Sequence, residues 1–163
     1  MLKNSLYFVY LVAVLSILSG FVKSRNHIRL NGLYVVDNTE EMLAVMEEKR
    51  GGLKPVSLDE DIKKYYKYLR FYEDGTAVGV TSTGTPRKVV QWLNKEHEDI
   101  SSGTYQVRRD SVFMTLTNTA GSVVYKGWIS GRKIRMSTES LINGYKGSYV
   151  YKFKKIRTQN KSD

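Results

Sequence analysis

From residue 65 onwards, apolar and polar residues alternate in short runs that are separated by turn residues about every eight to twelve positions. Alternation with a period of two is typical of β-strands that bury one face. Asp74-Gly75 and Asn143-Gly144 are dipeptides that tight hairpin turns prefer. The pattern predicts a first strand at 31–36 and eight more at 65–72, 76–82, 88–93, 103–109, 112–117, 122–129, 133–138 and 146–156.

A meander of this many antiparallel strands has two edges, which closure into a barrel removes. We therefore expect a mainly β chain whose antiparallel meander closes into a barrel of about eight to ten strands. Charged residues assign the faces, because Lys152 and Lys154 point to water and so place Tyr151 and Phe153 inside. Alternation with charged or polar neighbours, or a shared apolar face in the case of Val78 and Val80, places Trp128 outside and these residues inside: Leu69, Phe71, Val78, Val80, Val112, Met114, Leu116, Tyr125, Gly127, Ile129, Ile134, Met136, Gly147 and Tyr149.

The stretch between the first strand and residue 65 has helical spacing. Asn38 or Thr39 is expected to cap a helix whose apolar face holds Met42, Val45 and Met46 and which ends near residue 50. A second short helix is predicted at 57–62. The fold class is therefore a barrel with a short helical insertion after the first strand.

Residues 5–22 form an uncharged apolar run next to the N-terminus, and Lys23 follows it. Such a run is typical of a signal peptide or a short membrane anchor. Residues 18–20, Leu-Ser-Gly, resemble the start of a bacterial lipoprotein box, but Phe21 stands where the lipid-carrying Cys would be. We therefore expect an exported protein of the bacterial cell envelope, either periplasmic or membrane-anchored.

The chain then divides into four segments. Residues 1–24 are the predicted signal peptide or N-terminal membrane anchor, and 25–31 are a linker. Residues 32–157 form the barrel domain, and 158–163 are a polar, disordered tail.

Two short motifs mark the ends of the predicted barrel. Residues 32–34 read Gly-Leu-Tyr, and residues 151–154 read Tyr-Lys-Phe-Lys in the closing strand. The arrangement resembles the calycin group, which comprises lipocalin-like and fatty-acid-binding-protein-like barrels, although lipocalins carry Gly-x-Trp at the first motif. Small bacterial exported lipocalin-like domains are the nearest likeness. The resemblance implies a barrel that binds a small apolar or amphipathic ligand.

Residues for catalysis are scarce in this sequence. There is no Cys, and His27 and His97 are the two histidines. Glycine-rich phosphate loops and nucleophile-elbow motifs are missing from the sequence. We expect no enzyme activity, no metal site and no cofactor. Tyrosines and bases interleave at 63–72, which is typical of single-stranded nucleic-acid binding, but the predicted export argues against a nucleic-acid partner.

Charge and aromatic residues lead to a function. Residues 65–157 carry sixteen Lys and Arg against seven Asp and Glu, a net charge of +9, which favours anionic partners such as a membrane surface. The inward aromatic residues are the candidate ligand-binding set: Phe71, Tyr125, Tyr149, Tyr151 and Phe153. We expect an exported or membrane-anchored barrel that binds a small apolar or amphipathic ligand with an anionic head. The alternative is a filled barrel that acts as a non-enzymatic structural or interaction protein of the envelope through its basic surface.

Overall fold

The computed structural model describes residues 27–40, 44 and 64–156. Eight strands of this part form a closed antiparallel barrel in chain order. They are β1 (Gly32–Asp37), β2 (Tyr66–Phe71), β3 (Thr76–Ser82), β4 (Ser101–Arg108), β5 (Ser111–Asn118), β6 (Gly121–Ser130), β7 (Lys133–Ser140) and β8 (Lys146–Lys155). A short helix, α1 (Pro86–Trp92), lies between β3 and β4. The predicted fold class, a mainly β chain closing into a barrel, is confirmed.

The first strand closes the barrel because it pairs with both β2 and β8. Tyr34 lies opposite Leu69 on one side and opposite Phe153 on the other. A side chain at Gly32 would collide with the backbone oxygen of Lys154 and with the ring of Phe153. Glycine at this position therefore allows the two terminal strands to approach each other closely enough to pair.

The barrel interior is filled by alternate residues of nearly every strand. In β8, Tyr151 and Phe153 are buried while Lys152 and Lys154 are exposed, and Trp128 of β6 faces the solvent, as predicted. The interior cluster consists of Ile28, Tyr34, Leu69, Phe71, Ala77, Val112, Met114, Leu116, Ile129, Ile134, Met136, Tyr151 and Phe153. The alternation in β5 to β8 therefore assigned the inner face correctly.

A second apolar cluster lies outside the barrel, between α1 and the outer face of β1 to β3. It contains Leu33, Val35, Tyr68, Val78, Val89, Leu93 and Ile100. Val78 and Val80 were predicted to face the interior, but Val78 belongs to this outer cluster and Val80 packs against it. The interior positions of β3 are Ala77 and Gly79 instead. Both faces of β3 are covered, so hydrophobicity alone does not distinguish its inside from its outside.

The prediction of a strand at 88–93 is wrong, because residues 88–92 belong to the helix α1. Pro86 lies in the first turn of the helix, where its missing N–H costs nothing, and Thr85 is the N-cap residue. Val89 and Leu93 are four residues apart and both are fully buried in the outer cluster. The adjacent residues Val89 and Val90 have a high propensity for strands. The segment is nevertheless helical, because this places Val89 and Leu93 on one face that packs against the barrel.

Several predicted segments lie wholly or mostly outside the described residues. Thr39, Glu40 and Ala44 are helical, in agreement with the start of the predicted insertion, while 41–43 and 45–63 are not described. The segments 1–24 and 158–163 also lie outside the described residues. Residues 27–31 are described and precede β1 without regular secondary structure.

Replacement of Leu93 by Ala tests the packing of α1 on the barrel. Leu93 is fully buried, so we expect Leu93→Ala to lower the free energy of unfolding by about 2–5 kcal/mol. Gln91 is exposed on the same helix, and Gln91→Ala should change it by less than about 0.5 kcal/mol. Urea unfolding of the full chain, followed by circular dichroism, measures both values. Equal effects of the two substitutions would contradict the packing.

Burial of tyrosine hydroxyls predicts a loss of stability in alkali. Burial, with a smaller contribution from Tyr66, raises the pKa of Tyr68 to about 12, and its hydroxyl donates to the backbone oxygen of Gly84 at 2.6 Å. Because this folded-state pKa lies above the unfolded value of about 10, the contribution to stability is complete below about pH 10 and is lost as the pH rises towards about 12. Urea unfolding at about pH 8 and about pH 11 should show this loss, and it should be smaller in Tyr68→Phe. An identical pH dependence in the variant would refute the assignment.

Candidate functional site

The two ends of the barrel differ in how they are filled. At the end where β1 begins, the ring of Tyr34 packs against Phe71 at 5.5 Å and Phe153 at 5.3 Å between centroids. The Tyr34 hydroxyl accepts a hydrogen bond from the backbone N–H of Arg29 at 2.9 Å, and Ile28 is buried beside it. This closed end has aromatic rings where a ligand would have to enter. Phe71 and Phe153, two of the predicted ligand-binding residues, therefore belong to the packed core.

The opposite end holds a cleft with a volume of about 380 Å³. It lies where β2, β4, β6 and β8 begin and where β3, β5 and β7 end. The other three predicted ligand-binding residues, Tyr125, Tyr149 and Tyr151, line it. The remaining lining residues are Lys67, Tyr68, Leu69, Gly79, Val80, Thr81, Asp99, Ser101, Asn118, Val123, Thr138, Ser140 and Tyr145. The cleft is therefore polar and aromatic rather than a plain apolar cavity.

Lys67 is a charged residue of the cleft that the sequence analysis did not assign to the interior. It alternates with Leu69 and Phe71 along β2, and that spacing was the signal that places it inside. Its ammonium nitrogen donates to the Tyr149 hydroxyl at 2.6 Å and lies 3.9 Å from the centroid of the same ring. The contact combines a charge-assisted hydrogen bond with a cation–π interaction and holds Tyr149 against Lys67 in the cleft lining.

The tyrosine hydroxyls of the cleft are hydrogen-bonding groups. Burial raises the pKa of Tyr125 to about 12, so its hydroxyl stays protonated at neutral pH. The hydroxyl oxygens of Tyr145 and Tyr149 lie 3.2 Å apart and share a hydrogen bond. These groups can donate and accept hydrogen bonds, as backbone groups of an extended peptide require.

An apolar turn stands beside the cleft. We call residues 141–145, which join β7 to β8, the rim turn. Leu141 is 64% exposed and Ile142 is 53% exposed, and Tyr145 connects the turn to the cleft lining. The turn is held in place because the backbone N–H of Leu141 donates to the oxygen of Ser122 at 2.9 Å. An ordered turn that exposes adjacent large apolar side chains is typical of an interaction surface.

Residues 27–40, 44 and 64–156 contain neither a metal-binding cluster nor a helix that could cross a membrane. No three His, Asp or Glu side chains of this part are grouped so that they could hold a metal ion. Its helices are also too short or too polar to cross a bilayer.

The chain is similar to known proteins along most of its length. A family model described as the F-box only protein C-terminal region matches residues 20–158, a stretch that includes all eight strands and α1. The F-box protein HRT3 of Saccharomyces cerevisiae is 33% identical over 78 residues. These residues are 47% of this chain and 22% of the yeast protein, so the chain spans about a fifth of that relative. No solved structure matches the chain.

These matches correct the predicted destination, function and partners. An exported or membrane-anchored barrel of the bacterial envelope that carries a small ligand is wrong, because the matched family and the yeast relative are F-box proteins. A small apolar ligand and an anionic membrane surface are wrong as partners for the same reason. The predicted signal peptide or anchor, 1–24, lies outside the described residues, and the family match begins inside it at residue 20. The calycin resemblance holds for the barrel fold alone.

The match to the family model extends over most of the chain. It covers residues 20–158, which are 139 of 163 residues, and includes the complete barrel and α1. The chain therefore belongs to the family of F-box only protein C-terminal regions.

Proposed function

We propose that this chain is a protein-recognition domain of the F-box class, which binds a partner protein and presents it to a ubiquitin ligase. The observation that carries the proposal is the family match. Residues 20–158 include the whole barrel together with the cleft and the rim turn at its open end. The role is that of an adaptor without catalysis. Recognition of the partner is then the property that the barrel must supply.

The open end of the barrel is the part best suited to hold the partner. The cleft and the rim turn are adjacent, because Tyr145 belongs to both and its hydroxyl bonds to that of Tyr149. Tyr125 and Tyr149 supply partly exposed aromatic surface with polar tips, a combination that is enriched at protein interfaces, while Tyr151 is buried and forms the floor of the cleft. We place the contact with the partner on Tyr125, Tyr149 and the rim turn.

The shape of the open end favours a protein segment over a small molecule. A ligand confined to the cleft would leave Leu141 and Ile142 exposed to water on the rim turn. An extended segment of a partner covers the rim turn with its apolar residues while its backbone reaches the tyrosine hydroxyls. Burial of the apolar side chains contributes roughly 25 cal/mol for each Å² removed from water.

The proposal predicts a partner that contacts the rim turn and is degraded faster when it does so. A photo-crosslinking amino acid at the exposed position 142 of the full chain should capture that protein in cells, whereas the same group at the exposed position 91 on α1 should not. Leu141→Asp places a charge in the apolar contact and should reduce the captured amount about tenfold or more, which corresponds to about 1.4 kcal/mol. The half-life of the partner should lengthen in cells that carry this variant.

Gln91→Asp is the matched control, since it adds the same charge at an exposed position of α1. It should alter neither the capture nor the half-life of the partner, and circular dichroism should show that both variants are folded. Capture at position 142 without any change in the half-life on Leu141→Asp would refute the adaptor role. Equal effects of the two substitutions would refute the location of the site.

A further inference from the structure

The outer face of β5 to β8 carries aromatic and basic side chains that the barrel does not use. Trp128 is 55% exposed and Phe113 is 42% exposed, and Val150 is also exposed. We define the basic wall as these three residues with the exposed bases around them: Lys126, Lys133, Arg135 and Lys152. All seven point outward, because their neighbours along each strand face the interior.

Strand pairing makes the basic wall a continuous surface. Trp128 lies directly opposite Arg135, which lies opposite Val150 on the next strand. Phe113 lies opposite Lys126, two residues from Trp128 on the same face of β6. Apolar groups and positive charges are therefore within reach of one ligand.

The positive charge of this face is not balanced within the barrel. Residues 111–155 contain eight Lys or Arg but a single acidic residue, Glu139, which pairs with Lys146 at 3.3 Å. Among the residues that the structure describes, the four bases of the basic wall form no ion pair. Lys133 also lies directly opposite Lys152, and like charges in that position destabilise a sheet. Folding alone gives no reason for this arrangement, whereas attraction to an acidic partner does.

A shallow groove extends the basic wall towards the open end. It has a volume of about 480 Å³ and is lined by residues of β6 to β8, among them Lys126, Lys146 and Glu139, which pairs with Lys146. The groove therefore begins at a base of the wall and follows the sheet surface.

We infer that the basic wall binds an acidic segment of a partner protein in which an aromatic or large apolar residue packs against Trp128 and Phe113. Glutamate and aspartate side chains of the segment pair with Lys126, Arg135 and the Lys133–Lys152 pair. The inference rests on the proposed role in protein recognition, but the seven residues of the basic wall belong neither to the cleft lining nor to the rim turn. The barrel then offers two recognition surfaces, one apolar and aromatic and one basic.

Fluorescence polarisation with a labelled acidic peptide tests the inference on the full chain. The probe is a glutamate-rich peptide of about ten residues with one central phenylalanine, and its two controls replace the glutamates by glutamine or the phenylalanine by alanine. The intact probe should bind, and each control should bind at least about tenfold more weakly. Raising the ionic strength from about 0.05 M to about 0.5 M should weaken binding, because salt screens exposed charges.

Charge reversal locates the site. Arg135→Glu, and separately Trp128→Ala, should weaken binding of the peptide about tenfold or more. Lys88→Glu is the matched control, because Lys88 is an exposed base on α1 and the change in net charge is the same. Lys88→Glu should leave binding unchanged, as should Leu141→Asp in the rim turn. Circular dichroism checks the fold of each variant.

Four results would overturn the inference. They are the absence of peptide binding up to about 1 mM at low salt, equal weakening by Lys88→Glu, weakening by Leu141→Asp, and tighter binding of single-stranded oligothymidine than of the peptide. The last result would make the basic wall a nucleic-acid surface. If the peptide fails while Leu141→Asp still abolishes capture of a partner, the proposed function stands and only the basic wall is refuted.

Discussion

The pairing of the first strand with the last is the contact on which the barrel depends. β1 lies between β2 and β8, so removal of β1 would leave two open edges instead of a closed sheet. Gly32 permits this approach because a larger side chain would meet the backbone of Lys154. Tyr34 then sits between Phe71 and Phe153 and fills one end. Closure and plugging of the barrel are therefore achieved by the same short strand.

Closure also determines which surfaces remain available for recognition. One end is filled by rings and covered by Ile28, while the opposite end keeps a cleft of about 380 Å³. On the outside, α1 covers the face of β1 to β3 with Val89 and Leu93, whereas Trp128 on β6 is left exposed. Apolar surface therefore stays uncovered at the rim turn and on the basic wall, the two places to which we assign recognition of a partner.

The sequence predicted the inward and outward residues correctly in those strands that expose one face to solvent and bury the other. In β8 the lysines mark the outer face, and the inward positions of Tyr149 and Tyr151 follow from them. The same logic fails for Val78, because α1 covers the outside of its strand. Lys67 was not assigned to a face, although its alternation with Leu69 and Phe71 places it inside, where it donates a hydrogen bond to Tyr149. The candidate site is thus a place where a charged residue occupies an inward position.

By itself, the sequence determined the antiparallel meander, the closed barrel and the inner face of β5 to β8, because alternation and turn residues are local properties of the chain. Its apolar N-terminal run and net charge led to the wrong partner and destination, since charge and hydropathy describe solubility and surface affinity rather than function. Tertiary structure decided that residues 86–92 form a helix, that Val78 lies outside the barrel and that Tyr125, Tyr149 and Lys67 meet in one cleft. These outcomes depend on contacts between residues far apart in the chain, and no local pattern contains the geometry of a closed sheet or of the helix that packs on it.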